Sequence, residues 1–182
     1  MQKQCSSKAQ YKKGMVTSMK TTNSVSISLG KPITAPCLIP VLHASTPNCI
    51  SEPFMVDGKV YRVTALSFGT PHGVVIVDDV DSIDVRSLGA SLGTHPLFPE
   101  GASIVFVQKI NDETIKASLW QRGVGETAFT CEAVCAAATV SIMLQTIIRS
   151  IANVLMGGEA FQVKWDGIGE VNIIGAANLI SA

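Results

Sequence analysis

The sequence has little charge and no excess of either sign. Only 15% of its 182 residues are Asp, Glu, Lys or Arg, and fourteen basic side chains balance fourteen acidic ones. Without a basic stripe, there is no electrostatic reason to expect a nucleic-acid partner or an anionic membrane. Because 47% of the residues are hydrophobic, the chain can bury a substantial core. We therefore expect a folded domain whose partners are small molecules or proteins.

The sequence also lacks a hydrophobic run of about 20 residues, the length that a membrane-spanning helix needs. The longest uncharged apolar stretch, residues 133–148, contains Gln145 and ends before Arg149. We predict a buried core helix there. The N-terminus is polar and lysine-bearing, with no apolar run behind it, so it does not have the pattern of a secretory signal. Cytoplasmic residence is the resulting expectation.

The five cysteines are an odd number for a disulfide framework, and the pattern of an export signal is missing. Reduced thiols are therefore expected. Cys131 and Cys135 are spaced to share one face of a helix, but no histidine lies near them in the sequence to complete a zinc site. The sequence thus predicts no metal site.

Hydrophobic patterning predicts two regions, a polar leader at residues 1–23 with a possible strand at 14–19, and a single domain at residues 24–182. Helical periodicity covers 83–91 and 132–150. Alternating or β-rich segments predict strands at 25–29, 59–68, 73–77, 103–110, 114–122, 161–165 and 170–174. The predicted fold class is α+β, with a mostly antiparallel, barrel-like sheet wrapped around one very apolar helix.

Four segments, in this order and spacing, resemble the C-terminal half of diaminopimelate epimerase. They are LSFGTPH at 66–72, HPLFPEGAS at 95–103, QRGVGET at 121–127, and MGG at 156–158 with KWDG at 164–167. The resemblance implies a pseudo-symmetric enzyme of two lobes, each a barrel-like sheet around a central helix, with the active site between them. It also implies proton transfer at the α-carbon of an amino acid without pyridoxal phosphate or another cofactor.

Thr130 stands where the family has a catalytic cysteine, counting forward from GET at 125–127. The resemblance implies two cysteine bases on opposite faces of the substrate, each at a helix N-terminus that favours the thiolate. A threonine hydroxyl is far too weak an acid for that role without strong activation. Thr130 is also suited to cap a helix with Glu132 in its first turn, and we weigh this structural role above a catalytic one.

Two further residues are candidates for proton transfer. Cys131 directly follows Thr130, although one residue along a helix turns a side chain by about 100°. His72 could act as an acid or base if it faced the cleft, or it could be a turn residue with a satisfied ring. The candidate catalytic residues are therefore Thr130, Cys131 and His72.

Five positions are candidates for substrate binding through their places in the family's motifs. The asparagine of the family's GNPH motif corresponds to Thr70, and a second asparagine corresponds to Ser103. The family's glutamate before arginine is Gln121, and the arginine itself is retained as Arg122. Glu132 puts a negative charge where the family has amides around a carboxylate, so it would repel that group unless its side chain turned away. The expected ligand is a small carboxylate.

The family's N-terminal lobe has no counterpart before residue 24, and we expect a partner to supply it. Strands 25–29 and 170–174 resemble ones that complete the other lobe, so they would have unpaired edges here. A homodimer is the first expectation, because closed two-fold association is the commonest solution. A separate N-terminal lobe is the second, and a monomer that pairs both strands on its own sheet is the third.

Two functions follow from these residues. The first is a divergent isomerase or lyase that acts on a small amino or hydroxy acid at a lobe interface. The alternative is a non-catalytic ligand-binding or interaction module that kept the epimerase scaffold. The change of several substrate-contacting positions together favours the alternative slightly.

Overall fold

The computed structural model describes residues 19–21, 24–42 and 47–176. Its helices are α1 (Val85–Gly93) and α2 (Cys131–Met143), with 3₁₀ turns at Pro36–Leu38 and Val80–Ser82. Its strands are β1 (Met19–Thr21), β2 (Ser24–Ser28), β3 (Glu52–Val56), β4 (Lys59–Ser67), β5 (Pro71–Val77), β6 (Ser103–Lys109), β7 (Thr114–Gln121), β8 (Gly125–Thr127), β9 (Ile151–Met156), β10 (Glu159–Lys164) and β11 (Asn172–Ala176).

All eleven strands belong to one sheet in the order β1-β2-β11-β10-β9-β7-β6-β5-β4-β3, with β8 paired to β7. The β5–β6 and β7–β9 pairs are parallel, and the other pairs are antiparallel. Ile33, which follows β2, exchanges backbone hydrogen bonds of 3.0 and 2.9 Å with Ser67 at the end of β4. This bridge brings the two sides of the sheet together around α2, which contacts β4 to β7 and β9 to β11. The predicted α+β fold, a barrel-like sheet around one apolar helix, is confirmed.

The helix α2 forms where the sequence combines a cap with small apolar residues. Thr130 caps its N-terminus, and residues from Ala133 to Ser141 are buried on every side. The helix ends at Met143 because Gln145 adopts a positive φ of 56°, the left-handed conformation that commonly ends helices. The predicted helix over 132–150 was therefore too long at its C-terminal end.

A second core lies on the outer face of the sheet, under α1. The strand β6 serves both cores, because Val105 and Val107 face α2 while Ile104 and Phe106 face outward. All four side chains are fully buried. A central strand covered on both faces shows a continuous hydrophobic run instead of alternation. This double cover fixes the position of β5 and β6, the two strands that begin beside the head of α2.

Several strands differ from those expected. The strands β4 to β7 lie where they were predicted, but β3, β8 and β9 were missed. The expectation of unpaired edges at 25–29 and 170–174 was wrong, because β2 pairs with β11 and β11 pairs with β10 within the chain. Except for Met19–Thr21, the predicted leader at 1–23 lies outside the described residues, as does the strand predicted at 14–19 apart from its last residue. No helix in the described ranges is long and apolar enough to span a membrane.

The contact between α1 and β7 yields a stability prediction. A Cβ atom at Gly93 would lie 2.7 Å from the Ala102 carbonyl oxygen and would overlap the Trp120 ring. We expect Gly93→Ala to lower the free energy of unfolding by about 1–3 kcal/mol, since the packed indole cannot move away freely. Urea unfolding followed by circular dichroism measures the change.

The matched control is Ser91→Ala at an exposed position of the same helix, where we expect a change within about 0.5 kcal/mol. Equal stabilities for the two variants would show that α1 does not pack closely on Trp120.

Candidate functional site

The candidate site lies at the N-terminus of α2, where Thr130 occupies the N-cap position. Its backbone is extended (φ −134°, ψ 155°), and its Oγ1 accepts a hydrogen bond of 3.1 Å from the N–H of Ala133. Glu132 lies in the first turn, where a carboxylate is favoured by the helix dipole. The expectation that Thr130 caps the helix is confirmed. Its hydroxyl oxygen already has a partner, as would be needed for a structural role.

His72 lies near the start of β5, beside Ser103 at the start of β6. The side chain is only 2% exposed, and its Nδ1 lies 2.9 Å from the carbonyl oxygen of Thr70. Because a carbonyl can only accept, Nδ1 carries the hydrogen, and in the neutral ring Nε2 keeps its lone pair. The backbone carbonyl of Thr70 thus fixes the orientation of the His72 ring.

Burial is the main cause that lowers the pKa of His72 below its usual range. The hydrogen bond to Thr70 and the charge of Glu132 raise this pKa, while the charge of Arg122 lowers it, and the net direction is downward. The ring is therefore neutral at pH 7. In a neutral imidazole with its hydrogen on Nδ1, the Nε2 lone pair is chemically able to accept a proton.

Arg122 is held by the backbone around it. The backbone N–H of Arg122 donates to Ser103 Oγ over 3.1 Å. The side-chain Nη1 donates to the carbonyl oxygens of Glu100 (2.8 Å) and Gly101 (3.1 Å). Gly101 has a φ of 72°, a conformation that suits glycine. The arginine therefore ties the end of β7 to the loop before β6. The sequence identified Arg122 and Ser103 as candidates, but it did not predict that Arg122 would bind the backbone carbonyls of Glu100 and Gly101. The glycine in HPLFPEGAS, Gly101, was the one sign of an unusual loop conformation there.

Gln121 is also engaged within the chain. Thr127 Oγ1 donates to Gln121 Oε1 over 3.4 Å, across the pair of β7 and β8. Both residues belong to the QRGVGET segment, but from the sequence only Gln121 was identified as a candidate. The hydrogen bond links the Gln121 carboxamide to the neighbouring strand of the hairpin.

The two cysteines of α2 do not have the environment of reactive thiols. Burial, and secondarily the charge of Glu132, raises the pKa of Cys131. Burial raises the pKa of Cys135 well above its ordinary value, with smaller contributions from Cys131 and Glu132. Cysteine acts as a base or nucleophile through its thiolate. At neutral pH both thiols are therefore protonated.

The structure brings most of the candidate residues to one place. His72 and Ser103 start neighbouring strands, Arg122 bonds to Ser103, and the charges of Arg122 and Glu132 act on His72. Thr130 and Cys131 lie at the head of α2, next to Glu132. Within the described ranges, no group of three or more His, Cys, Asp or Glu side chains is placed to hold a metal ion.

Comparison with known proteins places the chain in a family. The family model described as "Diaminopimelate epimerase" matches residues 64–180, more than half of the chain. The chain is 35% identical over 159 residues to the diaminopimelate epimerase of Geobacillus sp. (strain WCH70), covering 86% of this chain and 56% of that protein. It is 32% identical over 152 residues to the enzyme of Desulforapulum autotrophicum, covering 84% and 53%. The chain thus spans about half the length of the curated relatives it matches.

Solved structures share the fold at low sequence identity. A hydroxyproline epimerase from Agrobacterium vitis matches with a TM-score of 0.56 and 13% identity, covering 85% of this chain and 50% of that one. A predicted epimerase from Pseudomonas aeruginosa matches with a TM-score of 0.52 and 15% identity, covering 87% and 58%. These likenesses concern the fold alone, whereas the match over residues 64–180 extends from β4 to beyond β11. This chain belongs to the diaminopimelate epimerase family.

Proposed function

We propose that this chain is a divergent epimerase-like enzyme, an isomerase or lyase that removes the α-hydrogen of a small amino or hydroxy acid. We further propose that it works without pyridoxal phosphate. The observation that supports this most is the buried, neutral ring of His72, whose Nδ1–H is directed to Thr70 so that Nε2 can accept a proton. His72 lies at the position of the histidine in the family's GNPH motif.

The head of α2 supports a carboxylate as the group that anchors the ligand. The N–H groups of Cys131 and Glu132 have no acceptor within the helix, and the positive end of the helix dipole points the same way. An anion at such a position is stabilised by both effects. The Glu132 side chain opposes this charge, so a ligand that also carries an ammonium group is favoured over a hydroxy acid.

Two-thiolate racemisation is not the proposed chemistry. It needs a base on each face of the α-carbon, whereas the thiol of Cys131 is protonated and the Thr130 hydroxyl caps the helix. His72 supplies one base. We therefore propose a reaction in which this lobe transfers a proton on one face, as in an elimination or a one-sided isomerisation.

A second lobe completes the proposed site. The part of this chain that aligns covers only 53% and 56% of these two relatives, and the resemblance implies that their sites lie between two lobes. We propose that a second copy of this chain takes that place, with a separate N-terminal lobe as the other source. The internal pairing of β2 with β11 removes one reason for association. The proposal therefore rests on the part of the relatives' length that this chain does not cover. Cytoplasmic residence stays a prediction from the sequence.

A non-catalytic module is the second candidate, and one set of contacts favours it. The side chains of Thr130, Gln121 and Ser103 all hydrogen-bond within the chain. The Nη1 group of Arg122 donates to two backbone carbonyls of the chain itself. A scaffold that had lost its chemistry would show such internal bonding.

Hydrogen exchange at the α-carbon tests the enzyme proposal. The protein is incubated in heavy water with a panel of free amino and hydroxy acids, and NMR follows loss of the α-hydrogen. We expect exchange with at least one amino acid, and a loss of about 10²-fold or more in His72→Gln, because a general base contributes that much. Cys131→Ser should keep the activity.

The matched control is His95→Gln, since His95 packs against Phe54 in the outer core. Loss of exchange in Cys131→Ser but not in His72→Gln would make the thiol the base. Absence of exchange with every compound, from a folded protein, would favour the binding module.

Thiol alkylation tests the state of Cys131. Because its pKa is raised by burial and by Glu132, we expect iodoacetamide at pH 7 to label Cys131 at least about tenfold more slowly than the exposed Cys37. Peptide mapping by mass spectrometry measures both rates in one sample. Faster labelling of Cys131 than of Cys37 would indicate an activated thiolate.

The neutral state of His72 predicts a pH dependence of stability. The pKa is lower in the folded protein than the ordinary value of about 6.5, so below that pH the unfolded chain binds a proton that the folded chain does not. The free energy of unfolding should then decrease as the pH is lowered below about 6.5, by up to about 1.4 kcal/mol per pH unit, until the folded pKa is reached. His72→Gln should lack this component between pH 7 and 5.5. Parallel pH profiles for the two proteins in urea unfolding would contradict a neutral buried ring.

A further inference from the structure

A cavity of about 420 Å³ lies at the other end of α2 from the candidate site. Four segments line it: the stretch after β2 with Lys31 and Thr34, Ile50 just before β3, the end of α2 with Ile142 and Met143, and the loop after β10 with Trp165 and Ile168. At 1.5 Å per residue, the end of α2 lies about 18 Å from its head. The cavity is therefore separate from the site around His72.

The wall formed by the loop after β10 is held in place. The Trp165 side chain is buried, and its indole N–H donates to the carbonyl oxygen of Gly169 over 3.1 Å. Asp166 Oδ1 accepts the N–H groups of Ile168 (2.9 Å) and Gly169 (2.6 Å). A wall with these internal bonds presents a preformed surface to a ligand, which lowers the entropic cost of binding.

The rim of the cavity exposes apolar surface to water. Ile168 is 81% exposed although it is large and aliphatic. Burying such a side chain stabilises a complex by about 1.5–3 kcal/mol when it is fully covered. Ile142 and Met143 add half-buried apolar surface to the lining at the end of α2. The lining therefore favours the hydrocarbon part of a ligand.

Lys31 supplies a positive charge at the same rim. Within the described part of the chain it makes no ion pair, and the nearby Asp166 carboxylate is held mainly by backbone amides, which lower its pKa more than Lys31 does. At the end of α2, the carbonyl oxygens of Val140, Ser141 and Ile142 accept N–H groups from residues 144–147. The ammonium group can therefore pair with an anionic ligand, in competition with the Asp166 carboxylate, whose pKa its charge also lowers.

We propose that this cavity binds a small apolar monocarboxylate. Its carboxylate would meet the ammonium group of Lys31 and the hydroxyl of Thr34, and its hydrocarbon part would lie against Trp165, Met143 and Ile168. The volume falls in the range of about 300–1,000 Å³ that is usual for small-molecule sites. The proposal does not depend on the reaction at the head of α2.

Octanoate is the probe, and NMR of the ¹⁵N-labelled protein is the measurement. The chain has two tryptophans, so two indole N–H signals are expected, and Trp165→Phe identifies the one in the cavity. Octanoate should shift the Trp165 signal in a saturable way and leave that of Trp120, in the outer core, unchanged. Acetate and octylammonium at the same concentrations should bind at least about fivefold more weakly, since each lacks one of the two recognised features.

Two variants test the contacts. Lys31→Gln should weaken octanoate binding about fivefold, the effect of one exposed ion pair, whereas the control Lys59→Gln, at an exposed position on β4, should not change it. Ile168→Asp should weaken it about tenfold or more by removing apolar contact and adding a repelling charge. Equal binding of octanoate and octylammonium, an unchanged affinity in Lys31→Gln, or no shift of the Trp165 signal at millimolar octanoate would each overturn the proposal.

Discussion

The burial of α2 inside the sheet is the constraint on which the other features depend. Nine of its thirteen residues are buried, so it has no polar face to present to water and requires cover on all sides. The alanines at 136–138 allow strands to approach closely around it. The seven strands that contact the helix, and the bridge from Ile33 to Ser67 that joins the sheet's two sides, satisfy that requirement.

The same burial determines the chemistry at the head of the helix. Removing water disfavours the charged form of any group, so it raises the pKa of the Cys131 thiol and lowers that of the His72 imidazole. At neutral pH the thiol keeps its proton. The imidazole is uncharged, and its one N–H donates to the carbonyl oxygen of Thr70. In a family whose motifs imply cysteine bases, this lobe thus has an unprotonated histidine beside a capped helix. The parallel pairing of β5 with β6 holds His72 next to Ser103.

Local patterns predicted local structure well, and their failures have physical reasons. Alternation identified β2 and the central strands, and residue chemistry identified the cap at Thr130. The end of α2 was missed because the apolar run continues past Met143, whereas the helix stops at a left-handed Gln145, which no side-chain pattern announces. The strand β9 was missed because its start follows directly on the segment predicted as helix. The unpaired edges expected at β2 and β11 are absent because these strands pair with each other, although they lie far apart in the sequence. Hydrophobic periodicity carries no information on such long-range pairing.

The sequence by itself determined the family, the α+β class, the apolar helix and the residues that meet at its head, because motifs, caps and hydrophobic periods are local properties of the chain. Only the tertiary structure decided how those residues are used. It shows that Arg122 bonds to backbone carbonyls, that burial lowers the pKa of His72 and that β2 pairs within its own sheet. Hydrogen-bond partners, burial and strand neighbours depend on segments far apart in the sequence, and folding alone brings those segments into contact.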